Sequence, residues 1–542
     1  MNATSSHAVA DNPQIAAPPD TGAALRQALL LAGLFALFKF VLHLGVNLWE
    51  PHIGWGYFRD EMYYILCGHH LDWGYVDHGP IVALQARAAV ALFGKSLAGI
   101  RMFSTLAGAA TVFLTGILTW ALGGRRIAQA LAMLGILLAP EFLGLDSFLS
   151  MNSFEAVFWM IAVLAVLMVL RSEPGQPSLE RWWIVFGLAG GLGIENKPSM
   201  VVFLVALLIG LLLTPQRRIV FTRGALIGVA LVIALALPNL LWQIHNHFPT
   251  LEFIHNGKVD HKNVVLSPLQ FVGAQALMLN PLSLPLWFAG VVWLLVSRRS
   301  REWRFLGWTY LVFLALMFAT RDAKDYYLAA IYPVIFAGGG IAWQALLRRR
   351  STTWIVPGYA AVLVVGGFLA MPMSMPVLSP EQWLDYTARM HLRNTAANME
   401  NEATSAFPQF YADRFGWQEM VDHVTRIVNG LSPADRARVG ILCSNYGEAG
   451  AIDFLGAGRG LPAAISGHNN YWIWGPRGEL GEVMIVINGA SLDEMRKYYD
   501  SVEVAGVMNH PYAMPFEHRN IYLCRGRKGS LVKDWPEFKH YL

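Results

Sequence analysis

The 542-residue chain is 55% hydrophobic and only 14% charged, with a formal net charge of +4. Soluble domains usually carry about 25% charged residues, so the composition excludes a soluble globular protein and points to a polytopic membrane protein. A net charge this small gives no ground for nucleic-acid binding.

Residues 1–23 are polar and small, without the basic start and cleavage site of a signal peptide, and are read as a disordered cytoplasmic tail. A membrane span needs roughly 20 mainly apolar residues, with a range of about 17–25. Eleven segments qualify or come close: 27–49, 97–122, 127–145, 154–170, 182–194, 200–213, 224–242, 282–296, 305–319, 327–347 and 354–371. Arginines gather in every second connection: Arg125 and Arg126, Arg171 and Arg181, Arg217 to Arg223, Arg298 to Arg304, and Arg348 to Arg350. Because basic residues are retained on the cytoplasmic side, this pattern places the N-terminus inside and the C-terminus outside. A second reading of 182–213, one broken helix, would put the later arginine clusters outside. "ENKPS" (195–199) favours a turn there, since proline disfavours helix at the residue before it.

Segment 266–281 is bounded by Pro268 and Pro281 and is expected to lie along the outer surface. After Met371 the composition changes. Residues 24–375 are read as a transmembrane catalytic domain with a long first outer loop at 50–96. Residues 380–542 are read as a soluble α/β domain on the outer side. "RVGILCS" and "EVMIVIN" have the apolar runs of buried strands, and "SLDEMRKYY" has the serine cap of a helix. Cys67, Cys443 and Cys524 show no metal-ligand spacing. They are read as buried thiols, with oxidation of the last two as the alternative in an oxidising compartment.

The expected outer loops hold an unusual set of residues. The first contains Arg59, Asp60, Glu61, Tyr63, His69, His70, Asp77 and His78, and the second contains Asp146, Asn152 and Glu155. The third contains Lys197, the fourth Glu252, Lys258 and Lys262, and the fifth Arg321, Lys324, Tyr326 and Tyr327. Ionisable groups near a membrane are costly unless paired or wet, and mark a site by default. Isolated charges such as Glu252 and Lys262 read as solvated surface. Asp60–Glu61, framed by aromatic residues, and Lys197, in a very short turn, do not. The histidines raise a divalent-metal alternative, but their spacing matches no dense ligand motif, and no cofactor is expected.

"FRDEMYYILCGHHLDWGYVDHGP" (58–80) resembles the first outer loop of bacterial family 39 glycosyltransferases. These are grouped with the dolichyl-phosphate-mannose protein mannosyltransferases and the lipid A aminoarabinose transferase, the membrane-embedded C-type glycosyltransferases. The likeness continues in "DSFLSMNSFE" (146–155), "GLGIENKPS" (191–199), "KDYYLAAIYPVIFAGGG" (324–340), "NYGEAGAIDFLG" (445–456) and "SGHNNYWIWGP" (466–476), in order along nearly the whole chain. The chain departs from the aminoarabinose-transferase pattern where Asp77, His78, Gly79 and Pro80 replace a Lys-Pro-Pro. It also lacks the WWD motif of oligosaccharyltransferases.

The resemblance implies a fold of about eleven transmembrane helices with a C-terminal α/β extracytoplasmic domain, in the inner membrane. It also implies a polyprenyl-phosphate-linked sugar as donor and a lipid, glycan or protein hydroxyl as acceptor. On this likeness Asp60 and Glu61 form the catalytic pair, and Lys197, Arg321, Lys324, Tyr326 and Tyr327 face the donor phosphate. Arg59, Tyr63, Asp77, His78, Asp146, Asn152 and Glu155 are the candidate sugar- or acceptor-binding residues. A carboxylate positioned against a hydroxyl can act as general base in an inverting displacement. The alternative is a flippase or exporter of lipid-linked sugars. Such a transporter would place its charges at mid-membrane in broken helices, often with repeated halves, and no repeat is visible.

Overall fold

The computed structural model describes residues 21–173, 176–320, 324–348, 353–392, 400–403 and 405–542. Most of the tail expected at 1–23 therefore lies outside the described residues. The first helix already begins at Thr21.

Among the described residues seven helices are long and apolar enough to cross a membrane. They are Gly22–Ile53, Met102–Ala121, Asn152–Arg171, Arg223–His245, Arg301–Thr320, Asp325–Leu347 and Ile355–Met373. An eighth candidate is a bent pair, Pro268–Met278 and Pro281–Val296, which turns by 98° at Asn280 and its neighbours. Three further apolar helices, Pro80–Phe93, Arg126–Leu137 and Ser199–Leu212, are shorter. The 127–145 segment stops at Leu137 because Ala139 precedes Pro140, which restarts a short helix at its first position. The 182–213 segment is a hairpin, with helices Pro177–Asn196 and Ser199–Leu212 separated by an extended Lys197.

The C-terminal residues build a five-stranded sheet with strands β1 (Val439–Cys443), β2 (Ala464–Ser466), β3 (Val483–Ile487), β4 (Tyr499–Val507) and β5 (Asn520–Arg527), in the order β2-β1-β3-β5-β4. β1 pairs in parallel with β2 and β3, and β5 runs antiparallel to β3 and β4. All five β3 side chains are buried, as continuous apolar runs require when both sheet faces are covered. Ser491 caps the Leu492–Tyr498 helix through the Glu494 amide. The three cysteines are buried free thiols.

The first loop and this sheet share one apolar core. Met62, Tyr63, Ile65 and Leu66 pack with Ile441, Tyr446, Ala449, Ile452 and Ile485. Small residues make the approach possible. A Cβ on Gly447 would collide with the Arg59 side chain, and one on Gly450 would sit 3.2 Å from the Tyr63 amide nitrogen. The Tyr446–Leu455 helix is therefore pressed flat against the Arg59–His69 helix.

Candidate active site

Asp60 and Glu61 begin the same helix, Arg59–His69, but point to different environments. Glu61 is fully buried. It takes hydrogen bonds from Arg101 Nε at 2.6 Å and Nη2 at 2.8 Å, and from the amides of Leu149 (2.8 Å) and Phe58 (2.9 Å). Arg101 also contacts Glu50, which pairs with Arg414 at 3.3 Å. Every oxygen of Glu61 is occupied, so it staples the first loop to the helix bundle. Removing one partner of such a buried pair costs about 3–5 kcal/mol. Asp60 instead is 25% exposed and uses only Oδ1, which accepts from Tyr446 at 2.9 Å and from Arg59 at 3.4 Å. No described donor occupies its Oδ2.

Around Asp60 the first loop folds into an aromatic wall. Tyr63 donates to Asp77 at 2.9 Å, and its ring lies 4.6 Å from that of Tyr446. His78 stacks on Tyr75 at 4.5 Å and bonds its Nδ1 to the Gly79 carbonyl, leaving Nε2 without a described partner. Burial pushes the Asp77 carboxyl up and the His78 imidazole down. A Cβ on Gly79 would strike the Glu195 carbonyl, so this glycine lets the Asp77–His78 turn rest on the Glu195–Lys197 turn. Arg59 lies 3.7 Å from Asp413 and over the Tyr446 ring.

Five residues from three expected loops meet at Lys197. Its ammonium donates to Glu155 at 2.7 Å and Asn152 at 2.8 Å, and lies 4.8 Å from the Tyr327 ring centroid and 5.3 Å from that of Tyr326. Lys324 lies next along the chain and donates to Glu400 at 3.1 Å. Lys262 approaches the same oxygen to 3.7 Å. Lys262 is thus a member of the site and not the solvated charge expected. Its loop folds inward because Asn401 bonds the backbone of 261–263. Burial draws the Lys262 pKa down, with Glu400 opposing. The charge of Asp60 is felt at both Lys262 and Lys324. The two halves of the site are therefore electrostatically joined.

Asp146 does not join them. It pairs at 3.0 Å with Lys39 of the first helix, both groups almost wholly buried. A charge placed among apolar helices must find its partner there. Arg321 lies outside the described residues. Glu252 stays at the surface, as expected, but pairs there with Lys539 at 2.6 Å. The residues that sequence reasoning missed are Glu400, Asp413, Arg101, Arg414 and Tyr446. The last stood within a quoted motif, and the others carry no local signal. Among the described residues no three His, Cys, Asp or Glu side chains converge as a metal-holding group.

A helical membrane bundle with a small sheet domain closing over one polar cluster defines a class of fold, and comparison with known proteins identifies it. The family model of dolichyl-phosphate-mannose-protein mannosyltransferases matches residues 77–242. The lipid A galacturonosyltransferase RgtD of Rhizobium johnstonii is 24% identical over 356 residues, which is 63% of this chain and 71% of the relative. The crystal structure of ArnT from Cupriavidus metallidurans bound to undecaprenyl phosphate aligns with a TM-score of 0.56 at 15% identity, over 92% of this chain and 98% of that one. The oligosaccharyltransferase AglB of Archaeoglobus fulgidus, in complex with an inhibitory peptide and a dolichol-phosphate, aligns with a TM-score of 0.51 at 11% identity, over 85% of this chain and 69% of its own. The chain has the fold of the membrane-embedded C-type glycosyltransferases, as its motifs imply.

Proposed function

We propose that this chain transfers a sugar from a polyprenyl-phosphate donor to an acceptor hydroxyl by direct inverting displacement, with Asp60 as the general base. The observation that carries this reading is one open carboxylate oxygen, Asp60 Oδ2, within electrostatic reach of Lys324, Lys262 and Arg59.

The acceptor hydroxyl attacks the anomeric carbon while its proton passes to Asp60. The bond from that carbon to the phosphate oxygen breaks, and the polyprenyl phosphate leaves with the electron pair. Positioned proton transfer is worth about 10²–10⁴-fold. Fixed cations where charge develops add an electrostatic contribution of about 10²–10³-fold for each well-aimed donor. Lys197 and Lys324 supply them, with Tyr326 and Tyr327 beside Lys197. Phosphate leaves as an anion, so no second carboxyl is required as acid, consistent with the structural engagement of Glu61. Tyr63, Asp77 and His78 form the wall against which the sugar or acceptor would rest.

The arginine pattern supports placing this site and the sheet domain on the outer side of the inner membrane. The likeness to a lipid A galacturonosyltransferase supports a lipid acceptor over a protein one. An exporter reading has less support, because the ionisable residues of the site lie in loops and at helix ends. Incubating membranes that contain the protein with labelled undecaprenyl-phosphate sugars tests the proposal. Label should move to a membrane glycolipid, whereas label that stays on the donor for every sugar offered would refute it.

A further inference from the structure

Glu400 collects cations from three separate segments. Lys324 donates to its Oε1 at 3.1 Å, Lys262 lies 3.7 Å from the same atom, and the charge of Arg59 acts on it as well. Gln409 donates to Oε2 at 3.0 Å. The side chain is only 10% exposed. Burial alone would push this carboxyl up, but Lys262, Lys324 and Arg59 outweigh it and hold the group far below the ordinary carboxylate range. A nest of cations around one carboxylate has the charge and the donors that a phosphate needs.

The two carboxylates that neutralise the site lysines are held differently. Glu155 stands on the Asn152–Arg171 helix and also accepts from Ser199, so it is a fixed counterion of Lys197. Glu400 stands on a short strap. An isolated antiparallel bridge joins it to Asn263, and Asn401 bonds to Lys262 O at 2.9 Å, His261 O at 2.7 Å and Asn263 O at 3.0 Å. These bonds clip the 400–401 segment to the loop that carries Lys262, and they can open without disturbing a helix.

We infer that Glu400 is a built-in competitor for the donor phosphate. In this structure it fills the cation nest of Lys324, Lys262 and Arg59, and the phosphate of the polyprenyl donor takes its place as the 400–401 segment lifts from the 261–263 loop, which keeps Lys262 in the nest. The inference rests on the proposed donor reading. A competing internal anion lowers apparent donor affinity by the fraction of time the nest is open, and its return assists release of the spent polyprenyl phosphate.

The test uses the full chain in lipid nanodiscs, titrated with undecaprenyl phosphate. Glu400→Gln should tighten binding about 10-fold, because it removes the competing charge and keeps the Gln409 contact. Lys324→Met should weaken binding. A second measurement needs no variant: hydrogen exchange at 400–401 of the wild-type chain should accelerate when undecaprenyl phosphate is added. Wild-type binding as tight as or tighter than that of Glu400→Gln, or a 400–401 segment that becomes more protected, overturns the competitor role and leaves the donor reading standing. Failure of both proteins to bind undecaprenyl phosphate overturns the donor reading and this inference with it.

Discussion

Tyr446 of the sheet domain donates a hydrogen bond of 2.9 Å to Asp60 Oδ1 of the first loop, across 386 residues of chain. This bond fixes the carboxylate and leaves Oδ2 free to face an acceptor. A hydrogen bond to a charged group is worth about 1.5–3 kcal/mol. Tyr446→Phe should therefore lower the turnover of label transfer about 10- to 100-fold without preventing insertion of the protein. Turnover equal to wild type would mean that Asp60 is held by other contacts.

The corrected position of Lys262 changes what the lysines should do. Lys197→Ala and Lys262→Ala should each raise the donor KM about 10-fold or more, since each removes a buried cation from the site. Lys539→Ala, which removes a charge paired with Glu252 and stacked on Trp472 and Tyr541 away from the site, should leave it within about twofold. Initial rates over a range of donor concentration decide this. An equal small effect from all three would make Lys197 and Lys262 ordinary charges.

How much of this could be read from the chain alone depends on the distance over which the signal acts. The β1 and β3 strands, the Ser491 cap and the turn at Lys197 rest on neighbours within a few residues, and each stands where expected. The meeting of Lys197 with Asn152, Glu155, Tyr326 and Tyr327 was accessible because their loops were assigned to one side of the membrane. Pairing partners were not accessible. Asp60 and Glu61 look equivalent as a dipeptide. Only the position of Arg101, 40 residues on, turns one into a structural staple. Glu400 lies in a polar stretch with no motif, so nothing local marks it as the partner of Lys324 and Lys262. The expected 127–145 span is broken where Pro140 starts a new helix inside an otherwise apolar run.

Stability should depend on pH through Glu448 and Glu517 of the sheet domain. Both carboxyls are buried and act on one another, with Asn445 donating to Glu517 at 3.0 Å and Asn488 to Glu448 at 2.9 Å. Burial first, and then their mutual repulsion at Glu517, raises them above the ordinary value of 4.5. Carboxyls raised by folding bind protons more tightly in the folded state. Their contribution is fully present below about pH 4.5 and is lost as pH rises through the raised folded values, at up to about 1.4 kcal/mol per pH unit for one proton. Glu517→Gln should raise the melting temperature of the full chain at pH 8 more than at pH 5. An equal change at both values would mean that the pair does not titrate in this range.

The proposed outward orientation of the site rests on the arginine clusters and is open to direct labelling. The natural cysteines are all buried, so background reaction is low. A cysteine introduced at Arg299 should be silent to a membrane-impermeant thiol reagent in intact cells, and one at Lys258 should react. The reverse result would turn Asp60 and the lysines toward the cytoplasm and remove the basis for a donor in the outer leaflet.

Asp60→Asn bears most directly on the account. The substitution keeps the shape and the Tyr446 contact but removes the basicity on which the displacement depends. With a labelled undecaprenyl-phosphate sugar that the wild-type protein accepts, and with correctly inserted variant protein, transfer should fall by about 10²–10⁴-fold. Transfer within about tenfold of wild type would contradict the assignment of Asp60 as general base.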